Sequence, residues 1–236
     1  MRAAARVVED ATVLDVACGD GVSTAELERA LPRGTVVGLD VSSDDLALAR
    51  LRVASARFVC APAQRTGLAD ASIDGAVCHC ALMLMNDAEA LVAELARVLR
   101  PGAAFTAVNL QRLNVATFSP PLAALLDEML RRDLPAYPRL GIGDPRLSSQ
   151  EGIAALFCPD TGFATIDTER AMLPTPCDVM AMLDLFRGHY WFDMLTDDSR
   201  ATFEARAPEL LESAADDAGL VPARSELLIV TVVRTA

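Results

Sequence analysis

The sequence contains no lysine: its 21 basic residues are all arginine, against 33 aspartates and glutamates, which gives a net charge of −12. A surface with this charge repels nucleic acid and anionic membranes. No apolar run approaches the roughly 18 residues that span a bilayer, and the amino terminus lacks the apolar segment of a signal peptide. We therefore expect a soluble, cytoplasmic protein with neither nucleic acid nor a membrane as its partner.

Cysteine and histidine are also scarce, with six cysteines, no C-x-x-C pair and two histidines. In a cytosolic protein such cysteines are by default reduced and behave as small hydrophobic residues. The run Cys78-His79-Cys80 suggests a metal site, but successive residues of a strand point to opposite faces. We therefore predict no bound metal.

The most informative stretch runs from Val13 to Gly21, in which a short apolar run predicts a buried strand and the glycines that follow predict a turn. Glycines allow the backbone to approach a ligand closely. Ser23-Thr-Ala-Glu26 has the form of a capping box, which predicts the start of a helix. The next strand, residues 35–39, ends in Asp40, where a carboxylate can accept both hydroxyls of a ribose. Together these features predict a nucleoside-binding unit.

The third glycine of a dinucleotide-binding turn, G-x-G-x-x-G, is replaced here by Thr24. Asp15 and Asp20 also place negative charge beside the turn, which suits an ammonium or a sulfonium group better than a pyrophosphate. The sequence therefore disfavours a dinucleotide.

The run VLDVACGDG resembles the first motif of the class I S-adenosylmethionine-dependent methyltransferases, commonly D-x-G-x-G-x-G. Asp15, Gly19 and Gly21 match this motif, and Ala17 replaces one of its glycines. The Leu-Arg-Pro-Gly turn at 99–102 is similar to the family as well. The resemblance covers about residues 11 to 110.

This resemblance implies an α/β, Rossmann-like fold with a seven-stranded, mostly parallel sheet, an antiparallel last strand and helices on both faces. It also implies a helical insertion after strand five and a helical cover before strand seven. We expect a single domain, 1–236, in which 11–110 bind the cofactor. Residues 111–236 then form the substrate side, with the helical cover at 111–160 and 174–222.

S-adenosyl-L-methionine is the cofactor that the resemblance implies. The glycine turn would hold its amino acid part, Asp40 its ribose, and Val41 and Ala63 would flank its adenine. The acid that binds adenine in the family aligns with Pro62, so the Gln64 amide is expected to substitute for it. The predicted cofactor-binding residues are Asp15, Ala17, Cys18, Gly19, Gly21, Asp40, Val41, Ala63, Gln64, Cys78 and His79.

Three residues are candidates for catalysis. His79 lies near the predicted tip of strand four, where it could act as a general base; the alternative is a strand-end histidine bonded to the backbone. The segment 187–192 is the densest aromatic cluster. It would either pack in the core or cover the substrate pocket, with His189 and Tyr190 presenting polar tips. An apolar cover favours a small, mostly hydrophobic or aromatic metabolite.

Three functions follow from these patterns. The first is a small-molecule methyltransferase, for which a homodimer is a compatible assembly. The second is a non-catalytic or repurposed methyltransferase fold, suggested by Pro62, by the displaced histidine and by the short amino-terminal lead. The third and least favoured is a nicotinamide-dependent dehydrogenase.

Overall fold

The computed structural model describes residues 10–135 and 143–235. The lead 1–9 and the segment 136–142, which holds part of the predicted insertion, lie outside the described residues. The elements in chain order are β1 (Thr12–Val16), α1 (Val22–Ala30), β2 (Thr35–Asp40), α2 (Ser43–Arg52), β3 (Arg57–Cys60), β4 (Ile73–His79), α3 (Ala88–Val98), β5 (Leu99–Leu113), α4 (Val115–Phe118), α5 (Pro120–Asp133), α6 (Gln150–Leu156), β6 (Phe163–Pro174), β7 (Cys177–Asp178), α7 (Val179–Arg187), α8 (Tyr190–Asp193), α9 (Asp197–Glu212), β8 (Leu220–Val221) and β9 (Arg224–Arg234).

The main sheet has seven strands in the order β3-β2-β1-β4-β5-β9-β6. The first five are parallel to their neighbours, with Val13 opposite Val36 on one side and opposite Gly75 on the other. β9 is antiparallel to β5, because Thr106 contacts Thr231 whereas the later Asn114 bonds the earlier Arg224. The predicted seven-stranded sheet with an antiparallel last strand is confirmed.

The sequence underlying these strands explains their burial. Parallel strands covered on both faces carry nearly continuous apolar runs, and Val36, Val37 and Leu39 of β2 are each at most 2% exposed. Gly38, in the same strand, leaves room for a neighbour: a Cβ there would lie 2.6 Å from the Phe58 ring. The centre of the sheet is therefore closely packed.

Two local predictions were wrong and one local feature was missed. The helix α1 is not capped by Ser23, because its N-cap is Gly21 and no side chain bonds to the cap. The predicted turn at 99–102 lies inside the fifth strand, because β5 runs from Leu99 to Leu113. A two-stranded antiparallel sheet of β7 and β8 was not predicted, because two-residue strands carry no readable periodicity.

The chain forms two compact units. The first contains residues up to 109, 142–170 and 228–236, and the second contains 110–141 and 171–227. The chain passes between them within β5, β6 and β9, so 142–170 and 228–236 of the predicted substrate half belong to the unit that holds the glycine turn. The single domain 1–236 stays a prediction.

Each unit has its own apolar core. In the first unit, the Phe157 ring stacks on Phe105 with centroids 5.6 Å apart and meets Phe163 edge-to-face at 5.1 Å. In the second, Phe203 is fully buried and lies 5.2 Å from Phe192 and 5.9 Å from Phe186. Within the described residues, no helix has the length and apolar character needed to cross a bilayer.

Candidate functional site

The turn after β1 alternates in backbone handedness. Ala17, Gly19 and Gly21 have φ angles of 57°, 53° and 85°, in the left-handed region that disfavours residues with a side chain. The Cys18 amide donates to the Leu39 carbonyl at 3.0 Å, and the Gly21 amide donates to the Cys18 carbonyl at 3.0 Å. Alternating handedness turns successive amides toward one side, which forms a concave surface suited to an anionic group.

Asp40 ends β2 and holds this turn. Its Oδ2 accepts from the Gly19 amide at 2.8 Å and its Oδ1 from the Ser42 amide at 2.9 Å. A carboxylate has about four lone-pair positions, so each oxygen can accept a further donor. The carboxylate that the sequence assigns to a ribose therefore also links the glycine turn to the tip of β2.

Asp15 lies under the turn and is fully buried. Its Oδ2 accepts from the hydroxyls of Ser23 and Thr24, both at 2.7 Å, whereas its Oδ1 has no hydrogen-bond partner. Burial raises the pKa of Asp15, and the hydroxyl bonds and the charge of His79 oppose this effect. An unpartnered buried carboxylate oxygen is costly, and a ligand's ammonium group would satisfy it.

Two of the predicted features change their meaning here. Ser23 and Thr24, read as a helix cap and as a missing glycine, are the donors that hold Asp15. Asp20 does not add free negative charge, because the Arg52 guanidinium pairs with it at 2.6 Å. The negative charge beside the turn comes from Asp15 and Asp40.

A cavity of about 420 Å³ opens at the carboxyl ends of β1 to β4. This volume lies in the range of small-molecule sites. Five of its lining residues were predicted to bind the cofactor: Ala17, Asp40, Val41, Ala63 and Gln64. Val41 is 68% exposed in spite of its apolar side chain, as expected of a surface that a ligand covers.

Six lining residues were not among the predicted cofactor-binding residues: Leu39, Ala61, Ala81, Leu84, Met85 and Asn86. Ala61 directly follows β3, and Ala81 lies two residues after the end of β4. Ligands of such folds bind at the carboxyl ends of the strands, so this position in the chain could have identified both residues. Leu84, Met85 and Asn86 belong to a short 3₁₀ turn, Leu82–Leu84, and the residues after it. No spacing pattern identifies such a turn in advance.

Gln64 lies in this cavity with its amide nitrogen bonded to the Asn86 carbonyl. Its side-chain carbonyl oxygen can accept a hydrogen bond, and an adenine amino group would be a suitable donor. Pro62, two residues earlier, is exposed and is not part of the cavity lining. Gln64 therefore offers an acceptor where the family's acid is absent.

The loop that carries Ala63 and Gln64 is bonded to α3 through a partly buried ion pair. Glu94 accepts from the Thr66 amide and hydroxyl at 2.7 and 2.6 Å, and the Arg97 guanidinium binds it at 2.7 and 2.8 Å. These Arg97 and Thr66 bonds lower the pKa of Glu94 to about 2. Arg97 also donates to the Leu68 carbonyl at 2.8 Å, which holds the loop at two points.

The remaining cofactor predictions lie around the cavity. Cys18 and Cys78 are buried, and burial raises the pKa of each thiol to about 12. His79 is exposed at the end of β4, opposite Val108 of β5. Cys18, Gly19, Gly21, Cys78 and His79 are not part of the cavity lining, and their roles stay predictions.

The second unit contains two catalytic candidates, His189 and Tyr190, and the structure describes the side chain of His189 alone of these two. His189 is half-buried, its ring lies 5.8 Å from that of Trp191, and burial lowers its pKa. The Tyr190 side chain lies outside the described part of the structure. Trp191 and Phe192 pack in the core of this unit, as the core alternative predicts for them, and the catalytic roles of His189 and Tyr190 stay predictions.

Among residues 10–135 and 143–235, no three histidine, cysteine or acidic side chains are placed to share a metal ion.

Comparison with known proteins relates this architecture to methyl transfer. A family model described as a methyltransferase domain matches residues 14–107, from β1 into β5. An uncharacterized methyltransferase of Synechocystis is 34% identical over 116 residues, which are 48% of this chain and 54% of that protein. A demethylmenaquinone methyltransferase of Deinococcus radiodurans is 32% identical over 163 residues, 67% of this chain and 63% of that protein.

The chain spans about half the length of the first curated relatives it matches. Among solved structures, the YcgJ protein of Bacillus subtilis aligns with a TM-score of 0.62, over 99% of this chain and 96% of that chain, at 16% identity. At this identity the match shows the shared fold.

Proposed function

We propose that this chain is a class I S-adenosylmethionine-dependent methyltransferase that binds S-adenosylmethionine in the β1–β4 cavity and methylates a small, largely apolar or aromatic metabolite. The observation that carries the proposal is the position of two buried carboxylates near the ends of β1 and β2: Asp40 lines the cavity, and Asp15, which is not part of the lining, lies under the adjoining turn. Asp15 has an unpartnered oxygen and Asp40 has spare acceptor positions. The first suits the ammonium group and the second suits the ribose hydroxyls.

Each part of the cofactor has a counterpart among the residues of the first unit. The amides of the alternating turn suit its carboxylate. Val41 and Ala63 supply apolar walls for adenine, and Gln64 supplies an acceptor for its amino group. When bound, S-adenosylmethionine supplies an electrophilic methyl group, so the protein's task is to align the acceptor and exclude water.

The acceptor's proton would be taken by His79 in this proposal. His79 is exposed at the end of the central strand, and an imidazole accepts a proton near neutral pH. Leu84 and Met85 give the adjoining cavity wall an apolar character, which supports an apolar acceptor. The Deinococcus relative, which is named for demethylmenaquinone, is consistent with this class.

The proposed enzyme acts in the cytoplasm on a free metabolite. Its net charge of −12 supports this, because long-range repulsion opposes binding to nucleic acid or to an anionic membrane. We include in the same proposal that the enzyme is a homodimer.

Calorimetric titration with S-adenosylmethionine, S-adenosylhomocysteine and NAD tests the cofactor. We expect micromolar binding of both sulfur nucleosides and none of NAD. Asp40→Asn should weaken binding by about ten- to a hundredfold, because an amide no longer accepts both ribose hydroxyls as a charged group. Asp44→Asn makes the same charge change at an exposed position of α2, and it should leave the affinity unchanged.

A screen of small phenols, carboxylic acids and amines for methyl transfer tests the acceptor. Methylation of an aromatic or apolar member, slowed by His79→Gln, is the expected result. Cofactor binding without methylation of any acceptor would favour the repurposed fold instead. Binding of NAD alone would contradict the whole assignment.

A further inference from the structure

The end of β4 holds a thiol–imidazole pair, and the proposed methyl transfer uses its imidazole, His79, but not its thiol, Cys80. Cys80 Sγ lies 3.8 Å from His79 Nε2, within reach of a hydrogen bond that involves sulfur. The thiol is partly exposed and the histidine is exposed. Small molecules can therefore reach both groups.

This contact depends on an unusual backbone conformation. Successive residues of a strand point to opposite faces, so a regular strand would keep the two side chains apart. Cys80 has φ of +55°, and its amide donates to the Val108 carbonyl at 2.6 Å, which holds the residue just beyond the strand. A left-handed conformation is unfavourable for a residue other than glycine, and such outliers concentrate at functional sites.

The pair contrasts with the other cysteines of the first unit. Cys18 and Cys78 are buried, and burial raises the pKa of each thiol to about 12, which makes them poor nucleophiles at neutral pH. Cys60 is exposed, but its thiol bonds the Val41 carbonyl and not an imidazole. Cys80 combines exposure with an adjacent base.

We propose that Cys80 is a reactive thiol, activated by His79, and a site of covalent modification by small soft electrophiles, hydroperoxides included. An adjacent imidazole accepts the thiol proton and stabilises the thiolate, which is the nucleophilic form. Ala81, the next residue, lines the β1–β4 cavity. A group added to Cys80 would therefore stand beside that cavity.

Both reactions balance. With iodoacetamide, the thiolate forms a C–S bond, the C–I bond breaks, iodide leaves and the thiol proton remains on His79. With hydrogen peroxide, the S–O bond forms while the O–O bond breaks, and the departing hydroxide takes the proton from the imidazolium as water. The sulfur is oxidised by two electrons to a sulfenic acid, and the peroxide is reduced.

The test is the rate at which each cysteine of the folded protein reacts with iodoacetamide at pH 7. Trypsin cleaves after arginine, which places Cys60 in the peptide 58–65 and both Cys78 and Cys80 in 66–97, where fragment masses distinguish them. We expect Cys80 to react about five- to tenfold faster than Cys60, since an adjacent imidazole raises the thiolate fraction. Hydrogen peroxide followed by dimedone should label Cys80 first.

His79→Gln should reduce the Cys80 to Cys60 ratio to about one, whereas His189→Gln, the same change in the other unit, should not alter it. Because the ratio is internal to one molecule, an unfolded variant is recognised by reaction at the buried Cys18 and Cys78. A wild-type Cys80 that reacts no faster than Cys60 overturns the proposal, and so does a ratio that survives His79→Gln in a folded protein. Neither readout depends on the proposed methyl transfer.

Discussion

Asp15 illustrates how a single residue can disfavour the folded state and favour a ligand. Its buried Oδ1 has no partner, and burial raises the pKa of the carboxyl. The folded protein therefore binds this proton more readily than the unfolded chain does. At neutral pH the charge costs stability, and this cost is lost as the pH falls from the raised pKa to the unfolded value of 3.8.

Replacing Asp15 by asparagine should separate these two effects. Without a buried charge, the free energy of unfolding at pH 7 should rise by about 1–2 kcal/mol, as measured by urea denaturation. Affinity for S-adenosylmethionine should fall at least tenfold because the ammonium loses its counter-charge. Wild-type affinity should also decline as the pH falls into the titration range of Asp15, and Asp15→Asn should lack this decline; a variant that binds as tightly as wild type would mean that Asp15 does not hold the ammonium.

Ala17 occupies a position where the family commonly has glycine, and its φ is +57°. Glycine adopts this conformation without strain, but it also increases the conformational entropy of the unfolded chain. As the net result, Ala17→Gly should leave the free energy of unfolding unchanged or raise it by up to about 1 kcal/mol. Ala25→Gly, within α1, is the matched control and should cost about 1 kcal/mol. Equal losses from both substitutions would show that Ala17 is not strained.

At the scale of elements, the loop between β3 and β4 owes its position to α3. Glu94 is 8% exposed and receives donors from Thr66 and Arg97. The same loop presents Ala63 and Gln64 to the cavity. The helix α3, which contributes no residue to the cavity lining, therefore positions one wall of the cavity.

Glu94→Gln should lower the free energy of unfolding by about 1–3 kcal/mol, because a neutral amide binds Arg97 and the Thr66 donors less strongly and leaves Asp70 as the carboxylate that pairs with Arg97. Amide hydrogen exchange of residues 61–72 should accelerate more than that of β1. Glu89→Gln, on the same helix, breaks an exposed pair with Arg146 and should cost much less stability than Glu94→Gln, because solvent screens an exposed ion pair. If both variants lose the same stability, Glu94 does not anchor the loop.

For the whole molecule, the carboxylates set the response to acid. Arg97 lowers the pKa of Glu94 to about 2, and the Ser199 and Thr196 bonds lower the pKa of Asp133 in the second unit. A lowered pKa contributes stability above the unfolded value, here 4.5 for the glutamate, and that contribution is lost as the pH falls. Both units therefore contain a group that requires the ionised state.

We expect the free energy of unfolding to change little between pH 7 and pH 5 and to fall steadily below about pH 4.5. Urea titrations at pH 7, 5, 4 and 3 measure this dependence. Glu94→Gln should lose part of the acid dependence along with its contribution at neutral pH. A variant with an undiminished acid slope would place the effect in other carboxylates.

The sequence by itself determined the order of apolar strands in the sheet and about half of the residues that line the β1–β4 cavity. The apolar runs, the glycines and Asp40 encode their structure locally, because burial and turn conformation depend on residues close in the chain. For this reason the first two strands and the turn between them could be predicted, whereas the assignment of Val41, Ala63 and Gln64, which line the cavity, came from the family resemblance. The antiparallel last strand followed from the resemblance.

Only the tertiary structure decided what the polar groups do. Ser23 and Thr24 bond Asp15, Arg52 neutralises Asp20 from 32 positions away, and Cys80 turns back toward His79. Hydrogen bonds and ion pairs between residues distant in the chain follow no sequence period, because the fold brings the partners together. The left-handed residue after β4 likewise reflects the packing against β5, which no local pattern records.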